Sequence, residues 1–431
     1  MSELAESARL RGIGRIAGLL AAQRRLLRDY LSTVSGSAGR LVFSLLYFVA
    51  LANSLSIGDF GLFATASAAG VMLSRILAFG FMSPLYRAAS VKPRLIGTFT
   101  GGFLLMGVLS LPLLAAASAA TYFAFFSGQM AISVFAAVVA AEALLWRPFE
   151  AVVIVNNGLG QFGRGALLVI AATAVRALAA TGFAFYPDHG LAAWSVAYLA
   201  ANALILAASA AFFYPRQRIR FKPKLYWRRL HDAVTVACAE VLFYLQSEFD
   251  KLLVLALGGP ALAGIYAIVM RLVDLTAIPI RAFSMMLVQR IMRTPELLRG
   301  LKRKVLIEAA IFLISTCGLG AMAAVLHVFP DALGRNVSEA APLIGLALLI
   351  PGLRNLIEYQ AELLYARGQT TLRMVSLALL AGLKALILFV LIRAASGTES
   401  LILWLNAGFA VLYAVSAAYT YAALRRPAKV F

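Results

Sequence analysis

The sequence contains few charges, few cysteines and few histidines for its length. Charged residues make up only 13% of its 431 residues, whereas a soluble domain averages about 25%. Hydrophobic residues make up 62%, and no water-soluble core can bury such an excess, which excludes a soluble globular enzyme. Two cysteines are too few for a disulfide scaffold, and the low polarity excludes a disordered chain. The three histidines lie in separate segments, so their spacing predicts no metal site, and we expect no cofactor.

Long apolar segments alternate with short turns rich in Gly, Pro, Asp and Asn. Because about 20 apolar residues cross a bilayer as one helix, the sequence predicts an all-α polytopic membrane protein with about twelve transmembrane helices. The predicted spans are 33–55, 60–83, 95–119, 129–155, 163–186, 190–214, 233–256, 261–287, 305–329, 338–364, 371–393 and 400–423.

The basic residues support this count of spans. Of the 39 Lys and Arg residues, 28 lie in loops that a twelve-span count places on one side, and only Arg335 and Arg393 lie in the opposite loops. This positive-inside pattern predicts that both termini are cytoplasmic. It also explains most of the net charge of +20, so we expect no nucleic-acid partner.

The longest basic connection, 215–232, divides the spans into two sets of six. We predict a cytoplasmic N-terminal segment, a first lobe, this inter-lobe loop, a second lobe and a cytoplasmic tail, at 1–32, 33–214, 215–232, 233–424 and 425–431. The N-terminal segment fits either a basic amphipathic helix on the membrane surface or a solvated tail. Since each set has an even number of spans, the two six-helix lobes form a parallel pseudo-two-fold repeat, a plan that places the site between them.

The turns after spans 1 and 7 share a short sequence echo. Residues 58–64 read GDFGLFA, and residues 259–267 read GPALAGIYA. In each case a Gly, an aliphatic residue, an aromatic residue and an Ala open the following helix. The matched position of the echo in the two halves supports the repeat.

Seventeen ionisable residues lie inside the predicted spans. Each would cost about 2.5–3.5 kcal/mol if it faced lipid at mid-depth, so we expect them to face one another or a water-filled cavity between the lobes. The basic members are Arg40, Arg75, Arg147, Arg176, Lys251, Arg271, Arg281, Arg354 and Lys384. The acidic members are Glu142, Glu150, Glu240, Glu248, Asp250, Asp274, Glu358 and Glu362.

Helical spacing divides these charges into two groups. Four pairs three or four residues apart favour structural ion pairs, namely Arg147 with Glu150, Glu248 with Lys251, Arg271 with Asp274, and Arg354 with Glu358. Four basic residues lack such a neighbour, so we expect them to meet another helix or an anionic substrate: Arg40, Arg75, Arg176 and Lys384. The acids of spans 7 and 8 are candidates for a coupling Na⁺ or proton site, although silent ion pairs are the alternative. These acids are Glu240, Glu248, Asp250 and Asp274.

Three stretches resemble motifs of bacterial polysaccharide flippases. Residues 55–64 (LSIGDFGLFA) and 257–267 (LGGPALAGIYA) resemble the two outer-turn motifs, and residues 246–254 (QSEFDKLLV) resemble the stretch before the second motif. The first motif carries Asp59 where the second carries Pro260. Together with the span count, these residues make the chain similar to the Wzx-like branch of the multidrug/oligosaccharidyl-lipid/polysaccharide exporter (MOP) superfamily.

The resemblance implies a transporter of the bacterial inner membrane rather than an enzyme. Its expected substrate is an undecaprenyl-pyrophosphate-linked oligosaccharide, carried from the cytoplasmic to the periplasmic leaflet by alternating access for O-antigen, capsule or exopolysaccharide synthesis. We assign the pyrophosphate to Arg40 and Arg75, with Arg271 and Arg281 as partners from the second lobe and Arg176 as a further candidate, because arginine suits phosphate. Expected partners are membrane lipids, Na⁺ or H⁺, and a polysaccharide polymerase with its chain-length machinery.

Two alternatives stay open. A cation-coupled small-molecule or drug antiporter of the same superfamily would share the fold, but we expect its cavity to favour acids over arginines. A membrane polysaccharide polymerase or ligase would also be polytopic. Such enzymes carry a large outer loop, whereas every predicted outer loop here is short.

Overall fold

The structure, a computed structural model, describes residues 39–186, 190–293 and 300–425. The predictions for the N-terminal segment 1–32 and for the tail beyond Arg425 therefore lie outside the described residues. In the described ranges the chain is helical almost throughout and contains no β-strand. The prediction of an all-α chain is confirmed.

The described part of the first lobe begins at Gly39, in helix α1. Its helices are α1 Gly39–Ser54, α2 Ile57–Leu73, α3 Met82–Val91, α4 Ile96–Phe125, α5 Ile132–Ala140, α6 Arg147–Gly158, α7 Phe162–Ala184 and α8 Leu191–Phe213. A π-helical turn, Ala141–Trp146, joins α5 to α6, and Pro148 stands in the first turn of α6. A proline cannot donate to the preceding turn, and a π-helical turn relieves that conflict without breaking the helix.

The second lobe begins with an unusually long helical stretch. Its helices are α9 Pro223–Arg293, α10 Leu301–Val328, α11 Arg335–Leu346, α12 Ile350–Ala366, α13 Thr370–Ala394 and α14 Thr398–Leu424. Helix α9 starts inside the predicted inter-lobe loop and breaks at Gly259, whose φ is +78°. The Tyr266 hydroxyl donates a hydrogen bond to Asp250 Oδ2 at 2.7 Å. In a straight helix these two residues, 16 positions apart, would lie about 24 Å from each other along the axis. Helix α9 therefore reverses at Gly259 and supplies two antiparallel arms.

The twelve predicted spans correspond to these helices. Within the described residues, eight helices are long and apolar enough to cross a membrane, and the count is nine when α11 and α12 form one span bent by 72°. Pro351 stands in the first turn of α12, directly after that bend. The three remaining spans are the shorter apolar helix α1, the charge-bearing α5–α6 segment and the second arm of α9. The chain is a multi-pass membrane protein with two lobes.

The two lobes touch where the echoed segments meet. We call this end of the bundle, with the α1–α2 turn and Gly259, the turn end, and the opposite end, with residues 214–222, the basic end. A Cβ added to Gly61 would collide with the backbone oxygen of Pro260 and lie 2.5 Å from the Gly264 nitrogen. A Cβ on Gly264 would collide with the Ile57 carbonyl. Glycine at both positions lets the two backbones touch, as in small-residue contacts between membrane helices.

Hydrogen bonds also join the lobes at the turn end. Asn336 Nδ2, at the start of α11, donates to the carbonyl oxygens of Ala52 at 2.6 Å and Leu55 at 2.7 Å. Asn53 Nδ2 donates to the Leu333 carbonyl at 2.8 Å. The two Asn336 bonds satisfy carbonyls at the C-terminal end of α1, so the turn end is closed by both packing and hydrogen bonds.

Candidate functional site

A cavity of ≈ 370 Å³ lies between the lobes. We call it the central cavity; its walls come from α1, α2, the π-helical turn, α6, α7, α8 and both arms of α9. Five basic side chains line it, namely Arg40, Arg75, Arg176, Lys251 and Arg271. Four acidic side chains line it, namely Glu142, Glu150, Glu248 and Asp274. The predicted charged cavity between the lobes is therefore present, and its lining carries one excess positive charge.

Six of the nine predicted site residues meet at this cavity: Arg40, Arg75, Arg176, Arg271, Glu248 and Asp274. Glu240 and Asp250 do not line it. Arg281 belongs to α9, but its side chain lies outside the described part of the structure. The cavity therefore gathers arginines from both lobes.

Arg75 forms an ion pair with a carboxylate of α6. Its Nη1 lies 2.9 Å from Glu150 Oε2, its Nη2 lies 3.3 Å from Oε1, and its guanidinium sits 4.2 Å from the centre of the Tyr244 ring. Arg147 Nη1 lies 2.8 Å from the same Glu150 oxygen, and its Nη2 lies 2.5 Å from Glu240 Oε2. Two arginines and two carboxylates thus balance one another. Since Glu240 comes from α9, it neutralises a positive excess that the first lobe has on its own.

An irregular segment of backbone places Arg75. Helix α2 gives way at Ser74–Gly80 to a tighter helical turn in which Ala78 and Phe79 have φ values of 57° and 47°. Non-glycine residues in this left-handed region cost about 1–3 kcal/mol each, so the surrounding structure must hold them. The Ser110 hydroxyl of α4 accepts a hydrogen bond from the Ala78 nitrogen at 2.9 Å. Helix α2 ends at Leu73, and Arg75 lies in the tighter turn that follows, three residues before the break at Ala78.

Glu142 and Arg176 form a second fixed group. The Tyr198 hydroxyl donates a short hydrogen bond to Glu142, and the Ser67 hydroxyl donates to the same carboxylate at 2.8 Å. Arg176 Nη2 lies 3.5 Å from Glu142 and 2.6 Å from Asn202 Oδ1. The Arg176 guanidinium also lies 3.6 Å from the centre of the Trp146 ring, a cation–π contact. The predicted cross-helix partner of Arg176 is therefore a carboxylate in the wall of the cavity.

Arg271 differs from the other cations of the cavity. Its Nη2 donates to the Ser44 hydroxyl of α1 at 2.6 Å, and in the described ranges no carboxylate oxygen lies within 4 Å of its guanidinium. The predicted pair with Asp274 does not form, because Asp274 lies 3.2 Å from Arg354 Nη2 instead. Arg40 lines the cavity one helical turn from Ser44. Among the described residues, the charge of Arg271 is thus not balanced by a contacting acid.

Asp250 belongs to a buried ion pair outside the cavity. Its Oδ2 lies 2.7 Å from Lys384 Nζ on α13, and its carboxylate is also bonded by Tyr266. Lys384 Nζ further donates to the Gln246 carbonyl at 3.1 Å. The neighbouring predicted pair, Glu248 with Lys251, forms at 2.5 Å and faces the cavity. Lys384 therefore meets an acid from another helix, as expected from the absence of an acid three or four residues away on its own helix.

Sequence reasoning missed the aromatic part of the site. Four aromatic residues with polar atoms line the cavity, namely Tyr47, Trp146, Tyr198 and Tyr244. Nothing in their spacing separates them from aromatic residues that pack in a core. Glu150 and Arg147 were recognised as charges within a span, but their link to Arg75 joins segments 75 residues apart along the chain.

Comparisons with known proteins support the fold. No family model matches the sequence, and no curated protein matches it. An inward-facing multidrug resistance MATE family transporter of the MOP superfamily has a TM-score of 0.60 and 13% identity, covering 90% of this chain and 98% of its own. A MOP superfamily transporter from Pyrococcus furiosus, described as having a binding pocket of reversed polarity that suggests a different function, has a TM-score of 0.63 and 13% identity over 93% and 96%. A mutant MATE transporter from Vibrio cholerae has a TM-score of 0.54 and 17% identity over 92% and 98%.

At these identities the likeness shows the fold. The chain has the two-lobed, all-helical architecture of MATE transporters, which have twelve transmembrane helices. Membership of the MOP superfamily and of its Wzx-like branch stays a prediction, because a likeness at these identities shows the fold alone.

Proposed function

We propose that this protein is a membrane transporter that moves an undecaprenyl-pyrophosphate-linked oligosaccharide from the cytoplasmic to the periplasmic leaflet. Such a substrate would serve the synthesis of O-antigen, capsule or exopolysaccharide. The observation that carries the proposal is Arg271, a cation in the central cavity with no carboxylate within 4 Å in the described ranges. Its charge is available to an anionic substrate group.

The chemistry of the cavity suits the three parts of this substrate. An arginine guanidinium presents donors in a planar fork that matches phosphate oxygens, and Arg271 and Arg40 approach the cavity from the two lobes. Polar and aromatic side chains such as Trp146 and Tyr244 provide surfaces and hydrogen bonds for sugar rings. The polyprenyl chain needs no polar site, because it stays in the lipid between the lobes.

Arg75 would bind the substrate phosphate only if it first released Glu150. Its two Nη atoms are already bonded to Glu150 and its side chain is 5% exposed, so a phosphate group would have to compete with a half-buried carboxylate. Such a competition loosens the bridge from Arg147 to Glu240, which joins the two lobes. We propose that this bridge, about 28 Å along α9 from Gly259, must open before substrate can pass between the lobes from the basic end; in this structure both the bridge and the turn end are closed.

A cation-coupled antiporter of small molecules is the second candidate. The observation that favours it is the set of four carboxylates in the cavity lining, two of which, Glu248 and Asp274, belong to the predicted coupling group. An organic cation would bind to such carboxylates and would be repelled by Arg271. The sign of the substrate charge therefore separates the two candidates.

Binding of the lipid-linked pyrophosphate tests the assignment of Arg271. We expect the purified protein to retain an undecaprenyl-pyrophosphate sugar in native mass spectra and Arg271→Gln to retain it at least about tenfold less, since a charged hydrogen bond contributes about 1.5–3 kcal/mol. Arg271→Lys should bind with intermediate strength. Arg393→Gln, at an exposed position outside the cavity, is the matched control. Equal retention by wild type and Arg271→Gln would remove the basis of the proposal.

A further inference from the structure

A second charged cavity lies at the basic end of the second lobe. Its volume is ≈ 230 Å³, and we call it the basal pocket. The first turns of α10 and the C-terminal ends of α12 and α14 form it. Three basic side chains line it, namely Lys304, Arg367 and Arg425. It shares no lining residue with the central cavity and is not used by the proposed transport function.

The one acid of the basal pocket is held by neutral donors. Glu308 is 9% exposed, and its carboxylate accepts hydrogen bonds from the hydroxyls of Tyr413 at 2.7 Å and Tyr421 at 2.6 Å. Gln360 Nε2 donates to it at 3.1 Å. These three bonds satisfy the carboxylate without the help of a cation, so the described lining of the pocket keeps a net charge of +2.

Within the part of the chain that the structure describes, the basic side chains of the pocket lack acidic partners. In the described ranges none of the three has a carboxylate oxygen within 4 Å. The Nε atom of Arg367 is buried and has no hydrogen-bond partner among the described residues. Three like charges around one cavity repel one another and attract an anion, and a guanidinium with unused donors is suited to phosphate oxygens.

The surroundings of the pocket indicate a lipid as the source of the phosphate. Val305 and Leu306, on the turn of α10 that borders the pocket, are 55% and 71% exposed, as expected of residues that face acyl chains. The pocket lies at the basic end, which the positive-inside pattern predicts to be cytoplasmic. Basic pockets between helices on the cytoplasmic side of a membrane recognise phospholipid headgroups. We infer that the basal pocket binds the phosphodiester of an anionic phospholipid, whose acyl chains lie along the exposed face of α10.

Lipid retention by the purified full-length protein tests this inference. In neutral detergent we expect native mass spectra to show retained phosphatidylglycerol in large excess over phosphatidylcholine, whose choline group cancels the phosphate charge. Arg367→Gln and Arg425→Gln should each weaken phosphatidylglycerol retention about fivefold, since one basic residue near anionic lipid contributes about that factor. Arg425 is exposed, so its replacement leaves the packing intact. The matched control is Arg87→Gln, an exposed basic residue at the same end of the first lobe.

Thermal unfolding separates a lipid from a soluble anion. Phosphatidylglycerol should raise the unfolding midpoint of the wild type and raise that of Arg367→Gln less, whereas millimolar inorganic phosphate should leave both unchanged. An equal rise with inorganic phosphate alone would overturn the lipid assignment in favour of a soluble anion. If Arg87→Gln reduced lipid retention as much as Arg367→Gln does, the binding would be a general effect of surface charge and the pocket assignment would be wrong.

Discussion

The ion pair between Lys384 and Asp250 yields the sharpest stability prediction. The two charged atoms are 2.7 Å apart, and the side chains are 5% and 1% exposed. Lys384→Met leaves the carboxylate buried with one neutral donor, the Tyr266 hydroxyl, and the Lys251 backbone nitrogen. Breaking a buried pair by removing one partner costs about 3–5 kcal/mol, because the remaining charge stays uncompensated. We expect a loss of that size in the free energy of unfolding.

A double substitution isolates the charge from the packing. Lys384→Met combined with Asp250→Asn removes both charges, and we expect it to recover at least about 2 kcal/mol relative to Lys384→Met alone. The assay is equilibrium unfolding in mixed micelles of detergent and sodium dodecyl sulfate, followed by circular dichroism. Arg393→Met, which removes an exposed cation, should stay within about 0.5 kcal/mol of wild type. A Lys384→Met protein as stable as wild type, or no recovery in the double variant, would refute a structural role for this pair.

Two further predictions concern the contacts that fix the lobes. Asn336→Ala removes two hydrogen bonds to the end of α1, each contributing about 0.5–1.5 kcal/mol. Distances between spin labels on the α1–α2 turn and on the turn before α11 should then increase, as expected of an open turn end. An unchanged distance distribution would show that these bonds do not hold the turn end closed. Ser110→Ala removes the acceptor of the Ala78 N–H and should lower the free energy of unfolding by about 1–3 kcal/mol. Its control is Ser118→Ala, whose hydroxyl bonds only within α4; equal losses for the two variants would show that the break needs no support from Ser110.

The spans and the repeat could be predicted because hydropathy and loop charge are local properties. The echoed segments lie at the place where the backbones of Gly61 and Gly264 touch, which explains why both halves keep glycine there. Helix distortions lie next to Pro148 and Pro351, since proline acts on its own turn of helix.

Partners across helices could not be predicted from spacing. The sequence indicated that Arg75 and Lys384 would need partners on other helices, but which acid each meets depends on packing between distant segments. For the same reason Asp274 pairs with Arg354 and leaves Arg271 bonded to Ser44. The break at Ala78 and Phe79 carries no sequence signal, because neither residue is a glycine or proline. Its support comes from Ser110, which lies on another helix.

Transfer of substrate between leaflets tests the central claim most directly. Proteoliposomes would contain the protein and a fluorescent undecaprenyl-pyrophosphate oligosaccharide, and a membrane-impermeant quencher would report which leaflet holds the label. The proposed function predicts transfer by the wild type well above the rate of protein-free vesicles, with Arg271→Gln close to that background. Transfer at the background rate by the wild type, accompanied by uptake of a cationic dye, would contradict the proposed lipid substrate and favour the antiporter.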